Sequence, residues 1–157
     1  MSAETMFRES GTNTAAFIVE IDGVPAGSFS ECHGLEITLE VEHFAEGGVN
    51  GFVHHLPGRV SWPNIVLKRG VTWDDELFDW FNASAGDRFA SDGKVVRRPV
   101  GITMVSSKGK RLRSWNLIDA MPVRWRGPTF AVTQDGVPDE ELELSHHGFS
   151  AQTFKGT

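Results

Sequence analysis

Six histidines and a single cysteine are the residues of this sequence best suited to metal binding or nucleophilic chemistry. They are His33, His43, His54, His55, His146, His147 and Cys32. Two histidine pairs are chain neighbours, and neighbours on a strand point to opposite faces, so neither pair easily closes on one ion. The His-Glu-x-x-His motif is absent, and one cysteine cannot build a structural zinc site. The sequence therefore predicts no metal site, and histidines that lie at the surface or at an interface.

Motifs for catalysis and for nucleotide binding are also absent. No Gly-x-Ser-x-Gly occurs, so the sequence has no nucleophile elbow. The glycines of residues 46–51 (EGGVNG) match neither the Gly-x-Gly-x-x-Gly spacing nor a P-loop. Cys32 is expected to be a small strand side chain, because structural cysteines are inert. We therefore predict no catalytic residue, no cofactor and no enzymatic activity.

Residues 44–59 (FAEGGVNGFVHHLPGR) nevertheless form an unusual glycine-rich loop. Asn50-Gly51 is a favoured two-residue turn, which predicts a β-hairpin here. The paired glycines at 47 and 48 allow a positive φ or a close approach of two backbones. The loop also carries the apolar pair Phe52 and Val53. Its own residues leave open whether it binds a ligand, performs chemistry or contacts another protein.

The composition is that of one globular domain. The chain has 157 residues, 39% of them hydrophobic, with eleven Phe and five Trp as bulky core material. The first residues lack the pattern of a signal peptide, and no stretch approaches the roughly 18 apolar residues of a membrane helix. A single cysteine fits a reducing compartment. We expect cytoplasmic synthesis and no membrane insertion by the monomer.

Charge is segregated along the chain, although the net charge is only −6. Residues 1–78 hold 12 acidic and 4 basic side chains, whereas residues 88–126 hold 10 basic and 2 acidic ones. Such asymmetry favours a nucleic-acid surface or complementary charged faces within an assembly. The basic patch at 108–113 has only Trp115 nearby for stacking, which favours a solvated hairpin tip. A small nucleic-acid-binding β-barrel remains an alternative.

The clearest structural pattern is a strict alternation in residues 34–42 (GLEITLEVE). Two sets face opposite ways: Leu35, Ile37, Leu39 and Val41 against Glu36, Thr38, Glu40 and Glu42. The alternation predicts a strand with its apolar face in the core and its carboxylates in water. It breaks at residues 43–44, which predicts a bulge or an exit from the sheet.

The remaining patterns predict many short strands and one helix. Strands are expected at 15–22, 27–31, 52–56, 64–69, 100–107, 111–125, 130–133 and 141–149. Pro122 inside a strand predicts an edge or a bulge. The helix is expected from an N-cap at Thr72 to Gly86, with an apolar stripe of Trp73, Leu77, Trp80, Phe81 and Ser84.

These elements predict a mainly β fold, an antiparallel β-barrel or sandwich with one short α-helix. We divide the chain into a flexible N-terminal arm (1–14), a β domain (15–150) and a C-terminal tail (151–157). The sequence shows no internal repeat and no second domain.

Four segments in a fixed order carry a family resemblance. They are FIVEIDGVPAGSFSECHGLEITLEVEHFAEGGVNGFVHHLPGR (17–59), PNIVLKRGVTWDDELFDWF (63–81), SWNLIDAMPVRWRGP (114–128) and ELELSHHGF (141–149). Together they resemble the tail tube proteins of contractile tails and injection systems, the phage T4 tail-tube-like group. The resemblance spans roughly residues 16–150 and implies a β-barrel-like sandwich with one helix and a projecting β-hairpin.

The resemblance also implies a function. The chain would be a non-enzymatic structural subunit of the inner tube of a contractile injection system or phage-like tail. Its subunits would form hexameric rings that stack into a hollow conduit for cargo, with sheath, baseplate and cap proteins as partners. A tube-initiating or baseplate-adaptor paralogue is the alternative. Assembly would take place in the cytoplasm, in a particle that is then released or stays inside the cell.

By the same resemblance, the glycine-rich hairpin inserts against neighbouring subunits. The expected inter-subunit residues are Glu46, Gly47, Gly48, Val49, Asn50, Gly51, Phe52 and Val53. Phe52 and Val53 suit an anchor in a partner's groove better than a lid in solvent. A tube also offers water in its channel, so we expect a lumen face with the carboxylates of Glu36, Glu40 and Glu42.

Overall fold

A computed structural model describes residues 14–48, 50–71, 75–85, 95–129 and 138–154. The elements in this part of the chain are β1 (Thr14–Ile21), β2 (Val24–Phe29), β3 (Glu31–His33), β4 (Thr38–Phe44), β5 (His54–Ser61), β6 (Ile65–Gly70), α1 (Glu76–Ala85), β7 (Arg98–Ser106), β8 (Arg111–Arg126), β9 (Asp139–Ser145) and β10 (Phe149–Thr153). Every strand pair formed by these elements is antiparallel. The predicted mainly β fold with one short helix is confirmed.

An eight-stranded sheet forms the body of the described domain. Its order is β2-β1-β7-β8-β9-β6-β3, with β10 beside β8. β2 and β3 are separated only by Ser30, whose backbone N–H donates to the carbonyl of Lys68 at 2.9 Å. The chain therefore leaves β1 for β6 at this residue, so the two ends of the sheet meet and the sheet curls into a barrel.

The interior of the barrel is apolar because alternate residues of its strands point inward. On β6, for example, Ile65 and Leu67 are fully buried, and the strand itself was predicted at 64–69. The side chains packed with them come from most other strands: Val19, Phe29, Val100, Ile102, Leu117, Leu142 and Leu144. Each such side chain contributes about 1.5–3 kcal/mol by leaving water.

The helix α1 packs against β8 and covers one side of the core. Leu77, Trp80 and Ser84 of the predicted stripe are buried. The Nε1–H of Trp80 and the hydroxyl of Ser84 both donate to the carbonyl of Val96, at 3.3 Å and 3.2 Å. Among the described residues, the N–H of Asp79 donates to the carbonyl of Asp75 at 2.8 Å, next to the start of the helix at Glu76. The predicted N-cap, Thr72, lies outside the described residues.

The predicted strand at 141–149 is divided into two strands, β9 and β10, which pair with β8 in one register. Met121 pairs with Ser145 and Leu117 pairs with Phe149, so the pairing along β8 continues across the interruption. Gly148, whose φ is 116°, lies in the interruption. β10 continues to Thr153, so residues 151–153 belong to the sheet and not to a tail. Pro122 lies at a shift in the β8–β9 register, which is the predicted bulge.

The strand predicted at 34–42 differs from the structure in two ways. β4 begins at Thr38, and the first four residues of the prediction, 34–37, are not in a strand. Of the apolar set, Leu35 packs against the core, but Ile37, Leu39 and Val41 are exposed. The expectation that this face lies in the core of the subunit was therefore wrong, because the hairpin leaves the barrel.

Some predicted features lie outside the described residues. These are residues 1–13 of the arm, Val49, Thr72, Trp73, Gly86, the strand at 130–133 and residues 155–157.

Several arginines of the basic segment contact carboxylates of other strands. Arg111 on β8 contacts Glu20 on β1 at 3.1 Å, and Arg98 on β7 contacts Asp22 at 3.6 Å. Arg126 contacts Glu141 on β9 at 2.9 Å. Exposed pairs of this kind contribute only about 0–1 kcal/mol each, but they neutralise part of the basic segment within one subunit.

Gly34 directs the chain from β3 toward the hairpin. Its φ is 92°, and a Cβ at this position would lie 2.1 Å from the backbone oxygen of Asn64. We expect Gly34→Ala to lower the free energy of unfolding by about 2–4 kcal/mol, because it adds a backbone clash to a left-handed conformation. Urea denaturation followed by circular dichroism measures the loss.

Gly109→Ala is the matched control for Gly34→Ala. Gly109 has a φ of 74°, and no atom of the described structure lies within 4 Å of where its Cβ would be. Alanine there costs only the left-handed conformation, about 1–2 kcal/mol. Equal losses in the two variants would show that the contact with Asn64 is unimportant.

Candidate protein–protein interface

The hairpin β4–β5 stands apart from the main sheet. Its strands pair with each other and with no other strand of the described structure. The pairs run from Thr38 and Ser61 at the base to Phe44 and His54 at the tip. A two-stranded hairpin is only marginally stable in water. A hairpin that projects in this way therefore needs another surface to lie against.

A bulge near the base bends the hairpin. The register shifts between Leu39 and Val41, where two residues of β5 stand opposite Glu40 alone. One of them is Gly58, and a Cβ there would lie 3.2 Å from the backbone oxygen of Glu40. Glycine therefore lets the strands approach closely. The bulge lies earlier than the predicted break in the alternation at 43–44.

One face of the hairpin is largely apolar. The cross-strand register places six side chains on it: Leu39, Val41, His43, His55, Pro57 and Val60. Leu39, Val41 and Val60 leave 47%, 45% and 46% of their surfaces exposed. These aliphatic residues are of the type that fills a core, but in a single chain they face solvent. The face is therefore prepared for contact with another protein.

The opposite face combines carboxylates with an aromatic tip. Glu40 and Glu42 lie on β4 between the base and the tip, and neither forms a salt bridge with any described residue. At the tip, the ring of His54 lies edge-on to Phe52 with centroids 5.0 Å apart. The Nε2 of His54 is 3.1 Å from a carboxylate oxygen of Glu46. The loop is thus held to β5 by a ring contact and a hydrogen bond.

The exposed large apolar side chains are concentrated on this part of the molecule. Of the fourteen in the described residues, eight lie between positions 37 and 60: Ile37, Leu39, Val41, Phe44, Phe52, Val53, Leu56 and Val60. Phe52, at 62%, is the most exposed of them. Single exposed apolar residues are normal, but a concentration on one projecting element marks an interaction surface.

The structure places the predicted interface residues in the loop between β4 and β5. Residues 46–48 and 50–53 lie in this loop, and Val49 lies outside the described residues. The chain turns at Gly47 and Gly48, where Gly48 has a φ of 89°. The expected two-residue turn at Asn50-Gly51 was wrong, because strand pairing stops at Phe44 and His54 and leaves a longer loop.

The predicted carboxylate set is only partly in the hairpin. Glu40 and Glu42 share the polar face of β4. Glu36 precedes the strand, and its side chain accepts a hydrogen bond from the hydroxyl of Thr38 at 3.3 Å. The three carboxylates therefore extend from the segment before β4 along the strand, and all three residues are exposed in the subunit.

Other candidates for chemistry have ordinary structural surroundings. Burial raises the pKa of Cys32 to about 12, so its thiol stays protonated at neutral pH. In the basic patch, Arg113 lies over the ring of Trp115 at 5.6 Å, and Arg111 pairs with Glu20. No group of three or more metal-ligating side chains occurs among the described residues. No helix in that part of the chain is long and apolar enough to cross a membrane.

A cross-strand pair of histidines escaped the sequence analysis. His43 on β4 lies directly opposite His55 on β5, with ring centroids 4.7 Å apart. The neighbouring pair His54 and His55, by contrast, lies on opposite faces of β5, as the sequence predicted. Recognising the cross-strand pair requires the register of the hairpin, which depends on the length of its loop.

A barrel with an exposed apolar hairpin is typical of the class of structural subunits that bind other proteins. The T4-like virus tail tube protein gp19 family matches residues 13–150. The chain belongs to this family, and its role is that of a structural tube subunit. The recognition made from the sequence is confirmed.

Solved structures share the fold. A chain of the extended PVC sheath-tube complex, an extracellular contractile injection system, is 24% identical with a TM-score of 0.77, over 98% of this chain and 99% of that one. A chain of the anti-feeding prophage tube-terminating cap is 25% identical, with a TM-score of 0.75 and 91% of each chain covered. Hcp1 from Salmonella typhimurium is 13% identical, with a TM-score of 0.58 and coverages of 90% and 87%. No curated protein sequence matches the chain.

Proposed function

We propose that the subunit assembles into hexameric rings, which stack into a hollow tube that conducts cargo. The observation that carries this proposal is the hairpin β4–β5, with eight large apolar side chains exposed on and around it. Head-to-tail contacts that close form a ring, and further head-to-tail contacts stack the rings. Sheath, baseplate and cap proteins are the expected partners, in keeping with the complexes that contain similarly folded chains.

The hairpin supplies the contact in this proposal. The described residues of its loop, which are Glu46, Gly47, Gly48, Asn50, Gly51, Phe52 and Val53, would enter a groove on a neighbouring subunit together with Val49. Each fully buried Phe or Val contributes about 1.5–3 kcal/mol. The unpaired edges of β4 and β5 can also extend a neighbour's sheet through backbone hydrogen bonds. Contact with a neighbour would thus bury the exposed apolar side chains and pair the free strand edges of the hairpin.

Gel filtration and negative-stain microscopy of the purified chain test the proposal. We expect rings with six-fold symmetry, or tubes built from them. A monomer that shifts in mobility when DNA is added would overturn the proposal and favour a nucleic-acid-binding barrel. A monomer that binds neither itself nor DNA at high concentration would also contradict it.

We further propose that Glu36, Glu40 and Glu42 line the lumen. Carboxylates without ionic partners stay hydrated, and in a tube that water can be the channel. Repeated around the rings, they would make a wall that repels anionic cargo. In a cryo-electron microscopy map of the assembled tube, we expect these three side chains to face the channel. Their placement on the exterior would end this proposal.

The remaining expectations concern the cellular setting. We infer that the subunit has no catalytic role, since it belongs to a family of structural tube proteins. We also infer that it assembles in the cytoplasm into a particle that is released or retained. Fractionation of producing cells tests the second inference: assembled tubes are expected in the cytoplasmic fraction before any release, and tubes found only outside cells would contradict it.

A further inference from the structure

Two histidines face each other on the apolar side of the hairpin. His43 and His55 are direct cross-strand partners, and their ring centroids are 4.7 Å apart with planes at 77°. Both side chains are exposed. The two rings therefore lie side by side at the surface, held by the backbone pairing of β4 and β5.

The separation of the two rings suits a shared metal ion. Metal–imidazole bonds are about 2.0–2.1 Å long, so two rings bound to one ion have centroids about 4.5–5 Å apart at the usual bond angles. The observed distance of 4.7 Å lies in that range. The observed edge-on arrangement requires only side-chain rotation, without movement of the strands, for both rings to direct a nitrogen at one point.

The ring nitrogens of this pair have no competing partner among the described residues. The other four histidines each interact with an oxygen acceptor: Glu31 for His33, Glu46 for His54, Pro63 for His146 and Asp119 for His147. No such hydrogen bond involves His43 or His55 in the described structure. The ring nitrogens of these two exposed histidines are therefore available to bind an ion.

The surroundings of the pair hold no fixed charge on the same face. The other members of that face are Leu39, Val41, Pro57 and Val60. Glu40, Glu42 and the His54–Glu46 pair lie on the opposite face or in the loop. No other element packs closely against this hairpin in the described structure. Donors other than the two imidazoles would come from water.

We propose that His43 and His55 together bind one divalent first-row transition-metal ion, such as Ni²⁺, Cu²⁺ or Zn²⁺. Neutral imidazole suits these metals, and two ligands fixed on one sheet make the second bond intramolecular. Water fills the remaining positions. This site belongs to a single chain and does not depend on assembly into a tube.

Calorimetric titration with NiCl₂ tests the proposal, on the untagged full-length chain and on its Phe52→Asp variant. We expect each chain to bind one nickel ion tightly. We expect His43→Asn or His55→Asn to raise the dissociation constant for nickel at least about tenfold, because each leaves a single imidazole. Binding should also weaken on acidification, since protons compete for the ring nitrogens. Binding by the Phe52→Asp variant alone would support the site and show that assembly covers it.

His54→Gln and His33→Asn are the matched controls. Each removes a histidine that contacts a carboxylate, exposed in the case of His33 and half-buried in that of His54, and leaves the cross-strand pair intact. We expect both to bind nickel like the unaltered chain. The proposal would be overturned if neither the full-length chain nor the Phe52→Asp variant binds nickel. It would equally be overturned if a control variant loses as much affinity as His43→Asn.

Discussion

The Phe52→Asp variant is expected to fold normally and to lose the ability to form rings or tubes. Phe52 leaves 62% of its surface exposed in the subunit, so aspartate costs the isolated chain little. At an interface, the same carboxylate would be desolvated without a partner, which costs several kcal/mol, and the burial of the ring would be lost. A penalty of about 3 kcal/mol per contact raises the concentration required for assembly roughly 100-fold. Circular dichroism checks the fold, and sedimentation with negative-stain microscopy checks assembly.

Val24→Asp is the matched control for this experiment. Val24 is 58% exposed on β2, outside the hairpin, so the substitution adds the same charge at similar exposure. It is expected to assemble like the unaltered chain. Normal assembly of the Phe52→Asp variant would show that the hairpin tip does not lie in the interface. Equal failure of both variants would point to a general effect of added negative charge.

The residues of the hairpin show what a hydrophobic pattern can and cannot predict. The alternation in residues 34–42 correctly indicated a strand with apolar and carboxylate sides, although only residues 38–42 of it belong to β4. It could not indicate what covers the apolar set, because a core and a subunit interface both exclude water from such residues. Leu39 and Val41 were therefore assigned to the core, although they lie exposed on a projecting hairpin.

The register of the hairpin was the second feature that the sequence did not determine. Asn50-Gly51 is a strong turn signal, but the paired strands end at Phe44 and His54 and a longer loop joins them. A different loop length changes which residues face each other across the strands. The opposition of His43 and His55 follows from this register, so no inspection of neighbouring residues could find it.

The apolar stripe of the helix predicted its packing from residue types alone. Leu77 and Trp80 are spaced about one helical turn apart, and both are buried against the barrel. The predicted N-cap, Thr72, lies outside the described residues, so the exact start of the helix stays a prediction.

A buried ion pair offers the second large effect, at the seam where the barrel closes. Arg69 on β6 is only 3% exposed and contacts the carboxylate of Glu140 on β9. Its guanidinium also donates to the carbonyl of Ala26 on β2 at 3.3 Å and lies over the ring of Phe29 at 5.3 Å. One side chain thus connects three strands, including the strand that switches from β1 toward β6.

Removing one partner of such a pair is more damaging than removing both. Glu140→Ala is expected to lower the free energy of unfolding by about 3 kcal/mol, because it takes the carboxylate from a guanidinium that stays out of water. Arg69→Met combined with Glu140→Leu is expected to restore most of the loss, since an apolar pair of similar volume needs no desolvation of charge. Urea denaturation of the unassembled protein measures both changes.

Arg111→Ala provides the comparison with a surface pair. Arg111 contacts Glu20 at 3.1 Å but leaves 52% of its side chain exposed, so its loss should cost less than about 1 kcal/mol. If Glu140→Ala costs no more than Arg111→Ala, Arg69 gains nothing from its buried carboxylate. If the Arg69→Met, Glu140→Leu double variant is less stable than Glu140→Ala alone, the charges themselves hold β2 against β6. In that case the closure of the barrel depends on a polar contact and not on apolar packing. The stiffness of a tube built from these subunits would then depend on the same contact.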